Sequence, residues 1–315
     1  MLPPDHVALR ASYNPAMLRA ASLLASAALA MLPSARAQQP AQPVRLSFHL
    51  EGNLIRVPVT LNGQTLDAVL DSGTGGIAID YAFAQSLHLD IGPSVGIVPG
   101  GGKPVPMYPV ILDHLDFGPE HLSFTPAIAI DLGPFSASAG FPVRLLLGLP
   151  VFRARILRVD YAAHTLTFLP SSPACADPIP FTLYGGSPLI AATVTGAPGA
   201  APQMLHFIVD LGTRHYGAML GGSFIDSPEG KSLQAAGHPA QVGTGTGGSV
   251  QGTVSTIASL TIASHAFPNL TVALTHNVGV LEKGPADGTL GVPLWQNGAV
   301  TFDYARNTVC FDLPK

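Results

Sequence analysis

Two short segments constrain this chain more than anything else in its 315 residues. Ala68-Val69-Leu70-Asp71-Ser72-Gly73-Thr74 is an apolar run that stops at a carboxylate, a hydroxyl and a glycine. Phe207-Ile208-Val209-Asp210-Leu211-Gly212-Thr213 writes the same sentence again. Burying a carboxylate costs several kcal/mol unless it is paired or hydrogen-bonded. Two carboxylates at the ends of apolar strands are therefore expected to meet, where one can hold a proton and the other a charge.

The rest of the chain repeats in the same order. Gly148-Leu149-Pro150 returns as Gly291-Val292-Pro293, and Asp160-Tyr161 as Asp303-Tyr304, both 143 residues on. Leu115 returns as Leu260 at an offset of 145, and Asp71 as Asp210 at 139. Such a period is far too long for a solenoid and fits a duplicated domain. With 34 Gly and 30 Pro, long helices are disfavoured and short strands joined by turns are expected. The expected architecture is all-β: two homologous lobes, 38–172 and 173–315, related by a pseudo-twofold axis, with an active-site cleft between them. The boundary falls near Pro170-Ser171-Ser172-Pro173, a linker composition. Residues near such an axis meet their equivalents, which brings Asp71 to Asp210. Gly73 and Gly212 allow a tight turn and close backbone approach. Thr74 and Thr213 can each donate to their own lobe's carboxylate.

Local signals place these turns. Residues 44–50 and 55–61 read as strands, and Asn62-Gly63 is a strong hairpin signal before the returning strand 64–70. Asp80 can cap a short helix to Leu87 with Phe83 and Leu87 inward. Residues 96–107 read as a mobile loop or hairpin, 110–115 and 122–130 as strands, and 155–169 as a closing hairpin. Gly243–Gly248 formally fits Gly-x-Gly-x-x-Gly, but a β-like stretch follows it, so it reads as a hairpin tip rather than a dinucleotide site.

Arg19 precedes an apolar run from Ala20 to Leu32, and Ala35-Arg36-Ala37 is a small-x-small site, so residues 1–37 read as a secretory signal peptide, with Met17 as an alternative start. The mature protein is expected in the periplasm or outside the cell, with no stable membrane insertion, and as a monomer. Its two cysteines, Cys175 and Cys310, are a candidate bridge in such a compartment. The net charge of −4 and the lack of a basic run argue against nucleic acid. The histidines are scattered without metal-ligand spacing, and no Gly-x-Ser-x-Gly elbow occurs. No metal or cofactor is expected.

The two Asp-x-Gly-Thr turns resemble the signatures of aspartyl proteases of the retropepsin-like and pepsin-like kind. Leu146-Leu147-Gly148 and Thr289-Leu290-Gly291 are similar to the apolar-apolar-Gly segments that thread past the active-site loops of that family. The resemblance covers nearly all of the mature chain and implies two acid-protease-like β-barrel lobes. It maps Asp71 and Asp210 onto the catalytic pair, supported by Ser72, Gly73, Thr74, Leu211, Gly212 and Thr213. By position it maps Gly100, Gly101 and Gly102, with Gly245 and Gly247, onto flap hairpins. One departure stands out. The family's hydroxyl after each Asp bonds across to the opposite loop; Ser72 keeps it and Leu211 does not, so half of that clasp is lost. No Tyr stands at an obvious flap tip, Tyr108 being nearest.

The chemistry expected of such a pair is amide hydrolysis. One ionised Asp takes a proton from a bridging water, which attacks the carbonyl, while the protonated Asp donates to the carbonyl oxygen. Shared protons of this kind are the known behaviour of aspartic-protease pairs. The expected function is an aspartic endopeptidase acting on a peptide or protein substrate. The alternative, favoured by Leu211, is a catalytically impaired protein of the same fold that binds peptides or glycans.

Overall fold

The computed structural model describes residues 42–98, 101–276, 281 and 284–314. The expected leader over 1–37 and the choice of start lie outside them.

The first half runs β1 (Val44–Ser47), β2 (His49–Glu51), β3 (Leu54–Leu61), β4 (Gln64–Leu70), β5 (Ile77–Asp80), β6 (Gly96–Val98), β7 (Val105–Phe117), β8 (Glu120–Ile130), β9 (Leu145–Leu147), β10 (Ile156–Asp160) and β11 (Thr165–Leu169). Short helices α1 (Tyr81–Ser86), α2 (Gly133–Ala139) and α3 (Leu149–Ala154) interrupt it. The second half runs β12 (Ile179–Pro180), β13 (Thr182–Tyr184), β14 (Ser187–Thr195), β15 (Gln203–Val209), β16 (Ala218–Leu220), β17 (His238–Gly245), β18 (Gly248–Ile262), β19 (His265–Leu274), β20 (Gly288–Leu290), β21 (Ala299–Asp303) and β22 (Thr308–Asp312), with α4 (Pro228–Ala236) before β17.

Local chemistry explains the early elements. Asn62 and Gly63 take φ of 49° and 82°, the left-handed pair that a two-residue hairpin between β3 and β4 requires. The Asp80 carboxylate accepts the Phe83 N–H at 2.9 Å and starts α1, whose Phe83 and Ala84 face the core. The Gly- and Pro-rich stretch from 96 is a hairpin, with β6 antiparallel to β7.

The described strands form a mainly β structure of three sheets. One eight-stranded sheet has the order β2-β3-β4-β9-β5-β8-β7-β6, and another has β13-β14-β15-β20-β16-β19-β18-β17. Strand for strand the two orders correspond, including the extra pairings β3–β7 and β14–β18. The third sheet, β1-β11-β10-β21-β22-β12, draws on both halves. The closing hairpin expected over 155–169 forms as β10 and β11, and its β10 also pairs with β21 of the second half, setting Leu157 opposite Phe302 and Val159 opposite Val300. A lone hairpin leaves open edges and too little buried surface to be stable. Pairing the two removes one edge from each, and the principal core runs unbroken from Phe48 to Phe311. Cys175 is bridged to Cys310, fastening the chain between β11 and β12 to β22. Among the described residues no helix is long and apolar enough to cross a membrane.

Candidate active site

Strands β4 and β15 are each buried in their last three residues and deliver Asp71 and Asp210 at their ends. The neighbouring parallel strands hold both turns. The Asp71 N–H donates to the Leu147 carbonyl at 2.9 Å, and the Asp210 N–H to the Leu290 carbonyl at 3.0 Å. Gly148 and Gly291 follow those strands because nothing larger fits. A Cβ at Gly148 would fall 1.9 Å from the Thr74 carbonyl oxygen, and one at Gly291 2.4 Å from that of Thr213.

The two turns carry the same internal bonds. In the first, the Gly73 N–H and the Thr74 hydroxyl donate to the Asp71 carboxylate, both at 2.8 Å. In the second, the Gly212 N–H donates to the Asp210 carboxylate at 2.7 Å and the Thr213 hydroxyl at 2.8 Å. The Thr213 hydroxyl also meets that of Thr289 at 2.9 Å. The turns come together across the two halves. A Cβ at Gly73 would lie 2.4 Å from an Asp210 carboxylate oxygen, and one at Gly212 3.0 Å from both Asp71 oxygens. Each glycine is thus the seat of the opposite carboxylate, which sets the two acidic groups beside one another. Both residues keep an accessible face while protein surrounds the pair. That enclosure first, and the Asp71 charge second, push the Asp210 carboxyl well above its ordinary value.

Ser72 alone makes the clasp between the turns. Its hydroxyl, fully buried, donates to the Val209 carbonyl at 2.7 Å and accepts from the Leu211 N–H at 3.1 Å. Leu211, equally buried, returns only apolar packing. A further bond crosses the halves where sequence reasoning gave no signal: the Ser187 hydroxyl of β14 donates to the Gly73 carbonyl at 2.9 Å. Behind such contacts lies a buried aromatic group. The Tyr161 phenol is pushed far above its usual range by burial, and both Asp210 and Asp71 act on it in the same direction. Trp295 opposes that shift, yet the Tyr161 hydroxyl and the Trp295 Nε1 fall short of hydrogen-bond geometry, and among the described residues the buried Tyr304 hydroxyl also has no partner. These tyrosines follow Asp160 and Asp303, whose carboxylates accept the Ala163 and Arg306 N–H groups as structural turn acids.

The two glycine-rich hairpin tips meet. Gly102 bridges Gly247, the Lys103 N–H donates to the Gly247 carbonyl at 2.9 Å, and the Gly247 N–H to the Gly101 carbonyl at 3.1 Å. Gly245 lies against Gly101; Gly100 falls outside the described residues. Tyr108 is not at a tip: it is paired in the β7–β8 ladder and packs its ring 4.7 Å from that of Tyr81. Two surface hollows, about 780 and 420 Å³, are lined respectively by residues around α1 and α2 and by residues 215–217 and 266–271 with Pro293, and neither is lined by the two carboxylates. Among the described residues no cluster of His, Cys, Asp and Glu could hold a metal.

The chain matches the aspartyl protease family over residues 57–151, a stretch that includes the Asp71 turn, β9 and Gly148. It therefore carries an aspartyl protease family domain there, and the family implies a hydrolase with a peptide substrate. The Asp210 turn lies beyond the matched residues. No curated protein matches the chain.

Proposed function

We propose that the protein is an aspartic endopeptidase in which Asp71 and Asp210 together activate a water molecule. The observation that carries this reading is the seating of each carboxylate on the other turn's glycine, where enclosure and the neighbouring charge push the Asp210 carboxyl upward. The ionised Asp71 draws a proton from the bridging water as its oxygen attacks the amide carbon. The protonated Asp210 donates to the carbonyl oxygen, giving a tetrahedral intermediate that collapses when the amine leaves with a proton. A donor on each oxygen of each carboxylate fixes the carboxyl planes, and small misplacements there are costly to rate.

In this reading the lobes 38–172 and 173–315 face each other about a pseudo-twofold axis, and the matching strand orders support it. The joined tips at Gly102 and Gly247 are flaps that part to admit an extended peptide. The bridge between Cys175 and Cys310 favours an oxidising compartment, the periplasm or the exterior, and the enzyme acts as a monomer. The test is cleavage of a denatured protein substrate from acid to neutral pH, with Asp71→Asn as control. Absence of cleavage, or equal cleavage by the variant, rejects the reading. Leu211 favours one rival, a peptide- or glycan-binding protein on this fold, for which ligand binding survives Asp71→Asn combined with Asp210→Asn.

A further inference from the structure

Arg214 follows the Asp210 turn directly and is only 6% exposed. Its Nη2 donates to the Ser138 carbonyl at 3.0 Å and to the Ser138 hydroxyl at 2.7 Å, both on α2. Its own carbonyl accepts from the Asn53 Nδ2 at 2.8 Å. Every partner is neutral. Among the described residues no carboxylate forms an ion pair with it, and burial lowers its pKa with no acid opposing. Glu51, beside the Gly52 backbone that Nη1 overlies, is occupied by Arg56. The next residue, His215, is itself pushed down by burial and by Arg214, and so adds no counter-charge.

A purely structural tie to two neutral oxygens does not need a cation, and enclosing one without a counter-ion is costly. Among the described residues the N–H groups of Nε and Nη1 have no protein partner, and they are not sealed from solvent. They are aligned donors awaiting an acceptor, and the charge calls for an anionic one. The site is one-sided. The position equivalent to Arg214 in the first half is Gly75, where the Gly185 carbonyl would lie 1.8 Å from a Cβ. Arg214 follows Asp210 by four residues, and four residues of extended chain reach at most about 14 Å, so its backbone stands within that span of the Asp210 turn.

We propose that Arg214 is a specificity residue that binds a carboxylate of the peptide substrate, either an acidic side chain within about four residues of the scissile bond or the peptide's terminal carboxylate. The assignment rests on the peptidase reading above. It gives the enzyme a polarity that its paired turns alone lack, because only one of them carries the cation.

The experiment uses the mature protein and fluorogenic peptides in pairs, Glu against Gln at each position around the cleaved bond, and free acid against amide at the C-terminus. The expected result is a kcat/KM ratio of about tenfold or more at one position or at the free end, which separates the two sources. The ratio collapses towards one in Arg214→Gln and is partly kept in Arg214→Lys. Ratios near one throughout in the wild type, or an unchanged ratio in Arg214→Gln, overturn the proposal. If Arg214→Gln does not fold, the wild-type ratio and its value in Arg214→Lys decide. If the wild type cleaves no peptide, the peptidase reading falls by itself. Fluorescence anisotropy with the same peptide pairs then supports Arg214 if the carboxylate preference persists in binding, and rejects it if it does not.

Discussion

Removing the Ser72 hydroxyl tests the joint between the two halves most directly. Ser72→Ala deletes one oxygen that serves two buried backbone groups, the Val209 carbonyl and the Leu211 N–H. Ser72 is 1% exposed and Leu211 0%, so bulk water does not reach the gap. An unsatisfied buried polar group costs about 1–3 kcal/mol, which puts the loss at about 2–6 kcal/mol for the two. Whole domains are stable by about 5–15 kcal/mol, so this is a large share for one atom. No second hydroxyl compensates, because Leu211 occupies the reciprocal place. Urea denaturation followed by the fluorescence of Trp295, the chain's one tryptophan, measures the change. Ser72→Thr, which keeps the hydroxyl, is the control and should retain most of the stability. Turnover should fall with stability, since the clasp sets how the carboxyls face each other. A loss below about 0.5 kcal/mol in Ser72→Ala would refute the view that one hydroxyl joins the turns.

Three further outcomes are expected. Because the folded Asp210 carboxyl titrates above its ordinary 3.8, the folded state binds more protons than the unfolded one through that window, and this group lowers stability as pH rises above about 4. Asp210→Asn should therefore gain stability relative to wild type between pH 4 and 7, by about 1.4 kcal/mol per unit of elevation, while activity is lost; a stability difference independent of pH in paired thermal melts would contradict the assignment. Gly247→Ala places a methyl 1.8 Å from the Lys103 carbonyl oxygen, so the tips should separate, with faster amide hydrogen exchange at Lys103 and a raised KM; unchanged exchange would show that the contact is not maintained in solution. Opening the bridge in Cys310→Ser should lower stability by up to about 5 kcal/mol on a chain-entropy estimate for a separation of 135 residues, and equal denaturation midpoints with and without reductant in the wild type would argue against it.

Much of the site is written locally. An apolar strand that ends in Asp-x-Gly-Thr closes its own turn, because the glycine N–H and the threonine hydroxyl lie within reach of the carboxylate whatever the rest of the chain does. Asn62-Gly63 and Asp80 likewise specify their hairpin and helix start by short-range sterics and hydrogen bonding. The repeated order of Asp, apolar-apolar-Gly and Asp-Tyr was enough to indicate that such turns come in a matched pair. What depends on tertiary structure is every contact whose partner lies more than a hundred residues away. The pairing of β10 with β21 has no local signature, since the hydrophobic pattern of a strand does not say which edge it will meet. That Ser72 would serve both Val209 and Leu211, and that Ser187 would reach the Gly73 carbonyl, follow from how the halves close on each other. The same closure turns Arg214, an ordinary cation in the sequence, into one enclosed without a counter-charge. Sequence fixes the chemistry each turn can offer; the long-range packing decides which groups are left paired, and which are left waiting.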